Sequence, residues 1–293
     1  MTHWKIGIIG GSGLYALDAL ENAAWIDVAT PWGAPSDQLL TGRIGNVECV
    51  FLPRHGRGHH IGPSQLNFRA NIDALKRSGV TDLLSISAVG SLGEDMAPGD
   101  FVIADQFIDR TFAREKSFFG DGLVAHVSVA DPICPRLADY AAQSATAAGA
   151  TVHRGGTYLA MEGPQFSTRA ESHLYRQWGA DLIGMTAMPE AKLAREAELP
   201  YALIAMVTDY DCWRENETPV EVEAIVAQLH ANAATARATV EHFFSELPPV
   251  RVPSPIDTVL DFALITDPQH RDPALVAKLD AVAGRALNGQ SAF

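Results

Sequence analysis

Residues Tyr201–Trp213 read YALIAMVTDYDCW, and the fold class turns on how that stretch is understood. The apolar run from Tyr201 to Val207 has the length and content of a buried strand, and it stops at once in two carboxylates, Asp209 and Asp211, spaced i and i+2 among aromatic residues. In a parallel α/β sheet, ligands lie outside the carboxyl ends of the strands. A strand ending in Thr208-Asp209-Tyr210-Asp211 therefore presents acid groups where a substrate would lie. The same residues also fit a plain loop in which Asp209 caps a turn and Asp211 faces solvent.

Working outward, strands and helices alternate along most of the 293 residues, which predicts a single α/β domain. A hydrophobic content of 47% with 19% charged residues suits a packed enzyme and argues against extended disorder. No run reaches the roughly 18 apolar residues that span a bilayer, and Met1–Lys5 leads straight into a strand, so a cytoplasmic protein is expected. Cys49, Cys134 and Cys212 lie far apart and suggest neither a disulfide framework nor a zinc site. A formal charge of −13 disfavours nucleic acid or an anionic membrane as partner, so any anionic ligand needs locally placed positive charge.

Two upstream segments offer anion chemistry. Lys5–Ile9 is a short strand followed by Gly10-Gly11-Ser12-Gly13, where glycines expose N–H groups and Ser12 adds a hydroxyl donor. Gly11-x-Gly13-x-x-Ala16 is also a loose match to a dinucleotide fingerprint. Leu39–Ile44 and Val47–Leu52 flank Gly45-Asn46, a hairpin dipeptide, and the second strand delivers Arg54-His55-Gly56-Arg57-Gly58-His59-His60. Basic residues among glycines just past a strand match the required local charge. A metal reading of His55, His59 and His60 lacks an acid to complete the ligand set.

Further along, Ser64 is expected to cap a helix running to Gly79, and Leu83–Val89 is a strand whose end at Ser87 and Ala88 offers main-chain N–H groups to an anion. Residues 109–129 lose periodicity, and His126 there reads as a surface or interface histidine. A strand from Gly156 to Met161 breaks at Glu162-Gly163-Pro164-Gln165-Phe166-Ser167, and the Thr168/Glu171 capping box opens the next helix. Held between strand and helix, Phe166 is either an aromatic platform for a flat ring or a core residue. Asp181–Met188 is strand into loop, placing Thr186 near the helix opened by Pro189-Glu190. Thr218-Pro219-x-Glu221 caps a long helix to about Phe244, whose stripe of Val222, Ile225, Val226 and Leu229 is expected to pack partly on the sheet. Beyond Glu246 prolines break the pattern before a last short helix around Pro273–Leu287.

Six segments in order, GIIGGSG at 7–13, RHGR at 54–57, SAVG at 87–90, EGPQFS at 162–167, GMTAMPE at 184–190 and VTDYDCW at 207–213, resemble the methylthioadenosine-cleaving branch of the trimeric purine nucleoside phosphorylase family. The resemblance implies a mixed twisted sheet flanked by helices over residues 1–246. Residues 247–293 would then be a C-terminal extension packed on the same domain or on a neighbouring subunit. It also implies a homotrimer, phosphorolysis of S-methyl-5′-thioadenosine to adenine and 5-methylthioribose 1-phosphate, and no metal or organic cofactor, with inorganic phosphate as co-substrate. By the same resemblance phosphate is held by Ser12, Arg54, His55, the backbone at Ala88 and Thr186. Met185 lies under the ribose, Phe166 against the base, and Val222, Ile225 and Val226 around the methylthio group, with His126 entering from a neighbouring subunit. Asp209 protonates purine N7, helped by a like-charge effect from Asp211, which accepts from the 6-amino group.

Family members acting on 6-oxopurines carry asparagine and glutamate where this chain has Asp209 and Ser167, and a 6-oxo group facing two acceptors would cost about 1–3 kcal/mol. Ser12 stands where threonine is common, and Gln165 where arginine is common. Methylthioinosine or general purine nucleoside phosphorolysis is the near alternative. An NAD-binding dehydrogenase or a non-catalytic nucleotide-binding protein is the remote one.

Overall fold

The structure is a computed structural model that describes residues 3–11, 14, 17–214 and 222–289. Its N-terminal third is rich in strands: β1 (Lys5–Gly10), β2 (Glu21–Ile26), β3 (Leu39–Ile44) and β4 (Val47–Pro53). The expected Gly45-Asn46 hairpin joins β3 to β4, with Gly45 at φ +58°, a value that costs glycine nothing. Helix α1 (Phe68–Arg77) follows. It is capped by Asn67, whose side chain accepts from the Ala70 N–H at 3.1 Å, and not by Ser64 as the sequence predicts. The reason is local: Pro63–Gln65 forms a 3₁₀ turn and Leu66 is extended, so no helix can run on from Ser64. The Ser64 hydroxyl turns instead to the carbonyl of Glu162 at 3.0 Å.

Next come β5 (Asp82–Ser91), β6 (Phe101–Ala104), β7 (Gln106–Asp109), α2 (Pro135–Ala147), β8 (Val152–Arg154), β9 (Thr157–Ala160), α3 (Arg169–Gln177), β10 (Leu182–Gly184), α4 (Ala187–Glu196), β11 (Tyr201–Asp209) and α5 (Val222–Glu246). The strand expected from Gly156 to Met161 is β9, and the short β8 precedes it across Gly155-Gly156, both with positive φ. The chain closes with α6 (Pro273–Lys278) and α7 (Gly284–Leu287) in place of one short helix.

β5 is the hub of the mixed sheet. It pairs in parallel with β1 on one edge and β11 on the other, and past Val89 it pairs antiparallel with β10, two residues longer than the sequence reading allowed. From there the sheet runs β2-β3-β4-β1-β5-β10-β9-β7, with β6 and β8 reached through β11. Both faces of β11 are buried from Tyr201 through Thr208, the pattern expected of a strand covered by helices on either side. This single sheet flanked by helices is the α/β architecture expected from the sequence.

α5 departs from expectation. Its buried residues are Asn232, Ala236, Thr239, Val240, Phe243 and Phe244, whereas Val222 and Val226 are 64% and 43% exposed and Ile225 and Leu229 are half-buried. Leu229 packs against the core and Asn232 Nδ2 donates to the Val207 carbonyl at 3.2 Å, whereas Val222 and Val226 in the first turns are left uncovered. The predicted cap at Thr218-Pro219-x-Glu221 lies outside the described residues.

Residues 247–289 are tied down by charge and by apolar burial. Arg251 pairs with the fully buried Asp82 and with Asp257, while Arg285 reaches Glu198 at 2.6 Å. Ile256, Leu260, Leu279, Val282 and Ala283 are buried in the main core.

The irregular segment after Asp109 is anchored by Glu196, which accepts from the Ser117 hydroxyl and the Phe118 N–H, both at 2.7 Å. Burial pushes its carboxyl up to about 7. Because the folded value lies above the ordinary one, stability from Glu196 is fully present below about pH 4.5 and lost as pH rises through 7. Glu196→Gln is therefore expected to flatten a fall in unfolding free energy of up to about 3 kcal/mol between those limits. Urea titrations across the range check it; an unchanged slope contradicts it.

Candidate active site

At the carboxyl end of β11 the register with β5 slips. Val207 pairs with Val89 and Asp209 with Gly90, leaving Thr208 as a bulge. Bulges re-aim side chains, and this one turns Asp209 toward β5 and β10. Only glycine fits opposite: a Cβ on Gly90 would lie 2.9 Å from Asp209 Oδ1 and 3.0 Å from Ile183 Cγ2. Asp209 Oδ2 is 2.7 Å from Thr208 Oγ1, and Oδ1 accepts the Asp211 N–H at 2.8 Å. Asp211 holds φ +51°, a strained value for a non-glycine residue and one that recurs at functional sites.

Both carboxyls sit above the usual range, and the cause differs from the one expected. Burial is the main effect on Asp209, opposed by Thr208 and the Asp211 N–H, and the charge of Asp211 contributes least. Burial likewise raises Asp211, while the hydroxyls of Ser172 and Ser167 and the Cys212 N–H hold it back. Desolvation, more than like-charge repulsion, raises both carboxyls.

Ser167 is brought to the same place. The Cys212 thiol donates to its carbonyl at 3.2 Å, joining the loop after β9 to the loop after β11. The Thr168/Glu171 capping box forms as expected and fixes the start of α3. Phe166, one residue before Ser167, is 44% exposed, which removes the core reading and leaves a ring free to meet a flat ligand. Met185 packs on Gly163, where a Cβ would stand 2.5 Å from its Sδ.

The anion end gathers at the ends of β1, β4, β5 and β10. Ser87 Oγ and Thr186 Oγ1 are 3.1 Å apart beside Ala88, and the Arg54 N–H donates to the Gly10 carbonyl at 2.9 Å. Ser12 lies outside the described residues.

Arg54 differs from the free cation the sequence suggests. It is buried, and each of its three side-chain nitrogens already donates: Nε to Glu190 at 2.9 Å, Nη1 to the Ile86 carbonyl at 3.1 Å, and Nη2 to Ser85 Oγ at 2.7 Å. Burial opposes the charge on Arg54, and the Glu190 carboxylate more than restores it. Nη1 keeps a single N–H outside this set. His55 is neutral, its imidazole pushed down to about 4 by burial and then by Arg54. Its Nδ1 is 2.8 Å from the Ile61 carbonyl, and its ring stacks on His59 at 4.2 Å. The positive charge expected from the sequence is therefore largely neutralised by neighbouring groups, and the hydroxyls of Ser87 and Thr186 lie at the same strand ends.

Four sequence-predicted residues stand apart in this chain. Val222 and Val226 are exposed and Ile225 half-buried, just past the undescribed stretch 215–221. His126 is exposed on the irregular segment, its N–H donating to the Ala263 carbonyl at 2.9 Å.

Two functional neighbours were missed. Glu190 accepts from Arg54, Ser85 and Tyr201 and was read only as an acid in a helix's first turn; its burial beside a basic loop 136 residues away has no local signal. Buried Arg114 donates to the carbonyls of Met185 at 2.6 Å, Met188 at 2.7 Å and Glu162 at 2.7 Å, and so positions both ligand-facing loops. It lies where periodicity is lost, and nothing in the sequence distinguishes it from Arg110.

Among the described residues no helix follows β1 before β2, which pairs antiparallel with β3. A dinucleotide fingerprint requires a helix opening on its glycines, so that reading fails. No group of three or more metal-ligating side chains occurs among the described residues.

Comparison with known proteins agrees with this geometry. Residues 5–245 match the phosphorylase superfamily. The S-methyl-5′-thioadenosine phosphorylase of Cereibacter sphaeroides is 62% identical over 286 residues, covering 97% of this chain and 99% of its own. That of Rhodospirillum rubrum is 58% identical, covering 96% and 97%. The crystal structure of a methylthioadenosine phosphorylase from an antarctic soil metagenomic library superposes with a TM-score of 0.89 at 46% identity, covering 96% of this chain and 99% of that one. A variant adenosine/methylthioadenosine phosphorylase from Schistosoma mansoni, solved with methylthioadenosine, gives 0.77 at 40% identity, covering 83% and 91%. The chain belongs to the phosphorylase superfamily and, within it, to the S-methyl-5′-thioadenosine phosphorylases.

Proposed function

We propose that the protein catalyses the reversible phosphorolysis of S-methyl-5′-thioadenosine, releasing adenine and 5-methylthioribose 1-phosphate. The observation that carries this reading is the pairing of Asp209 and Asp211 at the bulged end of β11 with Ser167 beside them. Where 6-oxopurine enzymes of the family use asparagine and glutamate, this chain has Asp209 and Ser167, and Asp211 adds a second carboxyl to meet an aminopurine. Asp209, whose burial favours the protonated form, donates to N7 as the bond to C1′ stretches and negative charge develops on the purine. Asp211 accepts from the 6-amino group.

Phosphate sits between Thr186, the backbone at Ala88, His55, Ser12 and the remaining Nη1–H of Arg54, with the Arg54–Glu190 pair keeping the region close to neutral. Met185 underlies the ribose and Phe166 covers the base. The active form is a cytoplasmic homotrimer using no cofactor, in which a neighbouring copy brings His126 toward the methylthio group and covers the Val222, Ile225 and Val226 stripe.

A second reading has one observation in its favour. A protonated Asp211 would donate to a 6-oxo group, and burial raises its carboxyl. Parallel assays on methylthioadenosine, methylthioinosine, adenosine and inosine separate the two. The expected order of kcat/KM puts methylthioadenosine first; faster methylthioinosine turnover transfers the assignment to 6-oxopurines.

A further inference from the structure

The two ligand-facing loops meet at one buried side chain. The loop after β9 (161–168) carries Phe166 and Ser167, and the turn after β10 (185–186) carries Met185 and Thr186. Between them lies the guanidinium of Arg114, which reaches in from the irregular segment after β7. Its Nη1 donates to the carbonyls of Met185 at 2.6 Å and Met188 at 2.7 Å, and its Nη2 to the Glu162 carbonyl at 2.7 Å. The Met188 carbonyl is available because φ −119° and ψ 132° take that residue out of the helical path at the start of α4. Nε donates to Glu162 Oε1 at 3.3 Å, and Nη2 also lies 3.4 Å from both the Met161 carbonyl and the Ser64 hydroxyl. All five N–H groups of the guanidinium therefore have an acceptor within the protein, and none is left for a ligand.

A second contact joins the same loops. Met185 Sδ seats against Gly163 so closely that a Cβ there would stand 2.5 Å from it, and a shift of either loop displaces the other. The Glu162 carboxylate extends the link outward: Oε1 accepts the Ser64 hydroxyl, and Oε2 accepts the Phe112 N–H at 2.6 Å, which fastens the segment that delivers Arg114. A planar guanidinium holds its acceptors in one fixed geometry, which an ammonium, a point charge on a flexible stem, does not reproduce. Movement at Thr186 therefore passes through its neighbour Met185 to Arg114 and Gly163, and from there to the loop that ends in Phe166 and Ser167.

We propose that Arg114 is a positioning residue that couples the two halves of the site: an oxyanion held at Thr186 tightens binding of the nucleoside at Phe166 and Ser167, and the nucleoside tightens binding of the oxyanion by the same factor. The inference rests on the proposed phosphate and nucleoside assignments and adds what links them. The reciprocity is a requirement of thermodynamic linkage. An anion that draws Thr186 into place also fixes Met185 beside it. Through the shared guanidinium the Glu162 carbonyl is fixed as well, so the nucleoside meets a loop whose ordering cost has already been met. Arg114 touches neither ligand in this scheme and acts through the loops.

Equilibrium titration with methylthioadenosine, with and without saturating sulfate as an unreactive substitute for phosphate, tests the proposal on the parent protein and on Arg114→Lys. Sulfate should lower the parent Kd for methylthioadenosine by about fivefold or more, the range of ordinary coupling between sites. In Arg114→Lys, which keeps the charge but cannot bridge the three carbonyls, that factor should fall toward one while each ligand alone still binds. Hydrogen exchange supplies a measurement that needs no variant: sulfate alone should slow exchange in peptides spanning residues 161–168 of the parent protein. A parent protein that binds sulfate with no change in its Kd for methylthioadenosine, or with no slowing of exchange over 161–168, overturns the proposal. So does a folded Arg114→Lys protein that keeps the parent factor, whatever its affinity for either ligand alone, because that result marks a merely structural arginine. If the parent protein binds neither sulfate nor phosphate, the phosphate assignment itself fails, a result distinguishable because it appears before any substitution.

Discussion

Asp209→Asn should lower kcat for methylthioadenosine by about 10² to 10⁴, the range in which a positioned general acid contributes. The expectation follows from where the carboxyl sits. Burial favours its neutral form, while Thr208 and the Asp211 N–H favour the charged one, and burial wins. Burial makes the protonated form of this carboxyl easier to reach, and in that form it can surrender its proton to a departing purine. An amide keeps the shape and a hydrogen-bond donor but has no proton to transfer. The loss should therefore fall on kcat with KM little changed, and it should be smaller with methylthioinosine, whose purine is served by asparagine in the 6-oxopurine branch. Steady-state kinetics on both substrates decide it. A drop confined to KM would mean that Asp209 binds the base without protonating it.

The second large effect is on stability. Glu190→Ala should destabilise the protein by about 3–5 kcal/mol, because it strands the buried Arg54 guanidinium without its counter-charge. It also removes the acceptor shared by Ser85 at 2.7 Å and Tyr201 at 2.9 Å. The paired replacement Arg54→Met with Glu190→Leu should recover much of that loss, since a well-packed apolar pair replaces a buried ion pair at little cost. It should recover no phosphorolysis. Urea denaturation measures the first effect and product release the second. A stable Glu190→Ala protein would show that Arg54 is solvated or discharged; an active double variant would remove Arg54 from phosphate binding.

How much of this was legible in the sequence depends on how local each signal is. β11 and its terminal aspartates were readable because an unbroken apolar run followed by acids needs only neighbouring residues to interpret. The Gly45-Asn46 hairpin and the Thr168/Glu171 box were readable for the same reason. The bulge at Thr208 was not, because it depends on register with β5, more than a hundred residues away. Arg54 shows the limit most clearly. Its position after a strand among glycines announced an anion site, but the partner that neutralises it arrives from α4. Similarly, periodicity placed Val222, Val226 and Leu229 on one stripe of α5 but could not say that Leu229 meets the core while Val222 and Val226 stay exposed.

The central claim is that phosphate, and not water, attacks C1′. Phosphorus-31 NMR of a reaction containing the protein, methylthioadenosine and inorganic phosphate tests it directly. Consumption of the phosphate signal with matching growth of a sugar 1-phosphate resonance, stoichiometric with adenine, is the expected result. Adenine release at an undiminished rate without phosphate, and with no new phosphorus signal when it is present, would contradict it.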